Sequence, residues 1–74
     1  MTRTFTLPSG NRVSTRSKRD LVLIYESTVG AWAAVEMRSD SLTALKDRAR
    51  RTRNTGVAVS MYVGNTVTGE LRQL

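Results

Sequence analysis

Ser39-Asp40-Ser41-Leu42-Thr43-Ala44-Leu45-Lys46-Asp47-Arg48-Ala49-Arg50-Arg51-Thr52-Arg53-Asn54-Thr55-Gly56 reads as a helix with both ends marked, and the fold follows from it. Ser39 or Asp40 is the expected N-cap, since a side-chain oxygen there accepts from an unpaired amide of the first turn. Asp40 just inside the helix would also meet the positive end of its dipole. Asn54-Thr55-Gly56 tolerates the left-handed conformation on which helices often end, and Arg50, Arg51 and Arg53 suit the negative end. Leu42, Leu45 and Ala49 fall at i, i+3 and i+7, a narrow apolar stripe. Lys46, Arg48, Arg50, Arg51 and Arg53 take the flanks and the outer face. The stretch predicts one helix laid on a sheet, with a basic back turned to water.

Upstream, the chain alternates. Thr2, Thr4 and Thr6 point one way and Arg3, Phe5 and Leu7 the other, the period of a half-buried strand. Pro8-Ser9-Gly10-Asn11 is a turn in which Pro presets the first corner and Gly or Asn accepts positive φ at the later one. Arg12 to Thr15 returns as a second strand with Val13 its one apolar anchor, and this thin hairpin is expected at an edge. After the basic turn Arg16-Ser17-Lys18-Arg19, Asp20 to Glu26 is the strongest strand. Leu21-Val22-Leu23-Ile24-Tyr25 is apolar on both faces, as suits a central strand covered on both sides. Ala31 to Arg38 reads as the next strand, with Ala31, Ala33, Val35 and Met37 facing one way and Trp32, Ala34, Glu36 and Arg38 the other.

Beyond the helix, Val57, Val59, Met61 and Val63 share one face of a strand, with Ala58, Ser60 and Tyr62 on the other. The tail then either turns at Gly64-Asn65 as a two-residue hairpin or runs a longer loop closing at Thr68-Gly69, with Glu70 to Leu74 as a short last strand. The longer loop is preferred. The predicted order is β-β-β-β-α-β-β over residues 1–74. That is a single α+β domain, a mostly antiparallel sheet of five to six strands with one helix on one face. No internal repeat or linker divides it.

Such a sheet is unbalanced, because one helix covers one face. The other carries Trp32, Ala34, Ala58 and Tyr62, where an open antiparallel face is normally polar. Three readings follow. The first hairpin, with Phe5, Leu7 and Val13, folds over that face. Alternatively another chain covers it, most simply a second copy across a two-fold axis. In the third, Trp32 and Tyr62, with Tyr25, stack single-stranded bases.

Composition narrows the chemistry. The seventy-four residues contain no cysteine and no histidine. That removes disulfides, thiol chemistry, His-based acid–base catalysis and a plausible structural zinc site. Neither a run long enough for a membrane helix nor a signal-peptide core is visible, so a soluble cytoplasmic protein is expected. The net charge of +6 comes from ten Arg and two Lys against six acids. It raises the prospect of a polyanionic partner, while also serving solubility. Arg16, Lys18 and Arg19 form one cluster and Lys46, Arg48, Arg50, Arg51 and Arg53 another, read either as solvated charge or as a phosphate-tracking patch. No Gly-rich phosphate loop is present, the acids are scattered, and no Ser or Thr has an evident base beside it. An enzyme is not expected, nor a cofactor or a small-molecule substrate.

At Arg38-Ser39-Asp40-Ser41-Leu42, with Ala44 and the Arg-rich helix following, and at Thr66-Val67-Thr68-Gly69-Glu70-Leu71, the chain resembles small uncharacterised accessory proteins encoded by phages of high-GC actinobacteria. The resemblance covers residues 20–74. It implies an accessory role, binding a host or phage protein or nucleic acid, and brings no catalytic residues. The resulting expectation is a non-enzymatic, self-associating protein-interaction module whose contact residues are Trp32, Ala34, Ala58 and Tyr62. The alternative is a nucleic-acid-binding protein using the two basic clusters.

Overall fold

A computed structural model describes residues 2–74. The order is β1 (Arg3–Thr6), β2 (Arg12–Thr15), β3 (Leu21–Ser27), β4 (Ala33–Ser39), α1 (Leu42–Asn54), β5 (Val59–Asn65) and β6 (Leu71–Gln73). This is the predicted α+β succession, with its strands divided between two antiparallel sheets. β1 and β2 form one, and the other has the order β4-β3-β5-β6. β3 is central, paired antiparallel on both sides, and Val22 to Glu26 are all buried, as its two-sided apolar run requires. β4 and β5 therefore run parallel to each other on either side of β3, and the chain passes between them through α1.

Three layers result. α1 lies on one face, where Leu45 and Ala49 pack with Leu23, Tyr25, Met61 and Val63. The β1–β2 hairpin lies on the other, where Phe5, Leu7 and Val13 pack with Val22, Ile24 and Tyr62. The hairpin is thus a layer of its own and not an edge of the main sheet, and it supplies the cover that the helix cannot. Its turn holds Gly10 at φ +97°, and the Leu7 amide donates to Asn11 O at 2.8 Å.

Several local expectations need correction. The N-cap is Ser41, whose Oγ accepts from the Ala44 amide at 3.2 Å. Asp40 stands outside the helix and accepts from the Asp20 amide at 2.8 Å instead. On β4 the faces do not follow simple alternation. Leu23 sits opposite Met37 but Ile24 opposite Val35, so Glu36 is an extra residue. This bulge sends Val35 and Ala33 to the hairpin side and Met37 to the helix side. Val57 precedes β5 and is 53% exposed. The tail follows the longer loop: Gly69 N donates to Asn65 O at 2.8 Å and Gly69 takes φ +79°. Gly64 stays inside β5 because the Phe5 ring occupies the space where a Cβ would stand, 2.7 Å from its nearest atom.

Candidate interaction surfaces

The β3–β4 turn is built to hold its shape. Gly30 takes φ +72°, the Ser27 amide donates to Trp32 O at 3.0 Å, and the Gly30 amide to Ser27 O at 2.9 Å. The first hairpin braces it from below. Asn11 Nδ2 donates to Gly30 O at 3.0 Å and to the Glu26 carboxylate at 2.8 Å, and Ser9 Oγ donates to the same carboxylate oxygen. Glu26 is only 4% exposed, so these donors replace the water it has lost. Ser9 thus does have a carboxylate beside it, contrary to the expectation from sequence. That carboxylate is engaged in pinning two turns together.

On this braced turn Val29 is 86% and Trp32 49% exposed. The pairing of Ser27 with Val59 brings residues 57 and 58 to the same end of the sheet, so Val57 and Ala58, both exposed, lie beside it. Among the described residues, three of the five large exposed hydrophobic side chains therefore lie at one end of the sheet. The four residues predicted as a contact surface do not share one face. Tyr62 is buried under the hairpin in the cluster of Phe5 and Ile24. Ala34 is exposed and pairs with Tyr25, whose side chain is on the helix side. Trp32 and Ala58 remain together at the open end.

The basic residues divide as well. The Arg19 guanidinium meets Asp40 at 3.1 Å, which draws the 16–19 turn to the start of α1. Arg16 Nε donates to Thr2 Oγ1 at 3.2 Å. The hydrogen bond from the Asp20 amide, reinforced by Arg19, holds the Asp40 carboxyl below the usual carboxylate range. On the β4 side of the helix, Arg48 meets Glu36 at 2.8 Å, and the hydrogen bond with that carboxylate raises the pKa of the guanidinium. Asp47 takes both Arg50, at 2.5 Å, and Arg51, at 3.1 Å. All of these pairs are solvent-facing, so each stabilises little; those on Glu36 and Asp47 neutralise part of the helix. Lys18, Lys46 and Arg53 are exposed and have no acidic partner among the described residues. Among the described residues no group of three or more acidic side chains could hold a metal ion, and no helix is long and apolar enough to cross a membrane.

No family model, curated protein or solved structure matches the chain.

Proposed function

We propose that this chain is a non-enzymatic protein-interaction module that associates with itself, and that it acts in the cytoplasm as a phage accessory factor modulating a host or phage protein. One observation carries the reading. Val29, Trp32 and Val57 are exposed at the same end of the sheet, and Trp32 is so on a turn braced by Glu26 and Asn11. A large aromatic on a fixed turn offers much contact area for few rotatable bonds, which is why such residues anchor interfaces. A second copy is the simplest partner, because a two-fold axis lets one apolar end meet another. Light scattering across micromolar concentrations tests this: a mass of two chains is expected, and a clean monomer at high concentration removes self-association.

A second reading, nucleic-acid binding by Arg16, Lys18 and Arg19 with the cations of α1, is favoured by the exposed positions of Lys18, Lys46 and Arg53, which have no acidic partner among the described residues. Binding to duplex DNA or RNA would then fall steeply with salt, through counterion release. It would weaken on combining Arg50→Glu with Arg51→Glu while the oligomer stayed intact. Absence of binding at about 50 mM salt removes this reading.

A further inference from the structure

Charge is spread unevenly along the chain. Residues 2–19, which build the hairpin and the turn after it, hold Arg3, Arg12, Arg16, Lys18 and Arg19 and no acid. All six acids come later, set against the other seven cations, so five of the six net positive charges belong to this one layer. Of its five cations only Arg19 meets an acid among the described residues. The two faces of the hairpin differ in kind. Phe5 and Val13 pair on the inner face and are buried against the main sheet. The outer face carries Thr2, Thr4, Thr6, Arg12, Ser14 and Arg16, all exposed, with neither an apolar nor an acidic side chain among them. Ties from beneath hold the ribbon in place. Arg3 donates through Nε to Thr66 O at 3.1 Å and through Nη2 to Val67 O at 3.0 Å. On the other strand, Arg38 Nε donates to Thr15 Oγ1 at 3.4 Å.

We propose that this outer face docks on duplex DNA, with the β1–β2 ribbon seated in the major groove. The inference rests on the nucleic-acid reading above and puts the contact on the hairpin rather than on α1. Two strands about 4.8 Å apart enter a groove about 12 Å wide. Arg12 and Arg16, four residues apart on one strand, stand about 13 Å from each other along it. That separation lets them reach phosphates or guanine edges about four base steps apart. The Thr and Ser hydroxyls beside them donate or accept as a base edge requires. Because the ribbon is already fixed, little freedom is lost when it binds. α1 offers less, since Glu36 and Asp47 neutralise Arg48, Arg50 and Arg51. Duplex RNA is disfavoured by its deep, narrow major groove.

The test is fluorescence anisotropy of the full chain with a labelled mixed-sequence DNA duplex at about 50 mM salt. Saturable binding is expected, weakened about tenfold or more by Arg12→Ala with Arg16→Ala. Lys46→Ala with Arg53→Ala removes the same charge from the helix side and should change affinity less than about twofold. Ser14→Glu, which sets a carboxylate between the two arginines, is the second hairpin variant and should weaken binding likewise. All five positions are exposed, so each variant should keep the wild-type melting profile, read by circular dichroism. Methyl green, a major-groove ligand, should displace the protein, netropsin in the minor groove should not, and an RNA duplex of the same sequence should bind more weakly. No saturable DNA binding removes this site and the nucleic-acid reading together. Binding that survives the hairpin variants but falls with Lys46→Ala and Arg53→Ala keeps that reading and overturns the hairpin site. Equal losses from the two alanine pairs, displacement by netropsin, or equal binding of the RNA duplex overturns it as well.

Discussion

Among the described residues Glu26 is the one charged side chain that is buried. It sits at the end of the central strand, 4% exposed, with Ser9 and Asn11 as its donors. Both donors meet one of its carboxylate oxygens, so Glu26→Ala leaves them without their acceptor. The change should cost about 1–3 kcal/mol, the usual range for unsatisfied buried polar groups, measured by urea unfolding. Asp40 makes the complementary case at the surface. The Asp20 amide and Arg19 lower its pKa in the folded chain, so the protein gains from the ionised carboxylate above the ordinary Asp range. That gain is lost as the pH falls through the depressed folded value, below about pH 4. The melting temperatures of wild type and Asp40→Asn should accordingly differ at neutral pH and converge in acid.

At the scale of elements, the contact of Phe5 with Gly64 decides how the hairpin seats. Gly64 is buried, and a methyl group there would stand 2.7 Å from the ring. Gly64→Ala should cost about 1–3 kcal/mol by overpacking. Combining it with Phe5→Leu, which withdraws the ring edge, should cost less than the two changes summed, a coupling that a double-mutant cycle of denaturation midpoints measures. The helix and the turns were legible beforehand because their signals are local. The Asn54-Thr55-Gly56 stop, the Pro8–Asn11 turn and the two-sided run of β3 are written in neighbouring residues. The N-cap was misplaced because Ser39, Asp40 and Ser41 are all competent caps. The Asp20 amide engages Asp40 and the Ser41 amide engages Ser39 Oγ, which leaves Ser41 to close the first turn.

For the whole molecule, the layering determines which apolar residues are free to bind. The hairpin takes Tyr62 into the core and leaves Trp32 at the open end. Trp32→Ala should leave the melting temperature nearly unchanged, since half of the side chain is already in water. It should shift the monomer–dimer balance towards monomer, read by sedimentation at matched concentrations. With a net charge of +6 on each copy, that association should also tighten as added salt screens the repulsion.

By itself the sequence determined the elements, their order, the central place of β3 and, through Leu45 and Ala49, the side of α1 that packs, although Leu42 of the same stripe is 44% exposed; side-chain period and capping chemistry depend on residues a few positions apart. It also carried the basic surface, since charge is composition. The candidate site was only partly legible: Trp32 and Ala58 stand exposed at one end, whereas Tyr62 does not. Tertiary structure decided the rest. One extra residue at Glu36 reversed the faces of half of β4, and the hairpin closed over a side that alternation alone leaves bare. Both depend on contacts between segments far apart in the chain, where small differences in packing, and no local pattern, choose the partner.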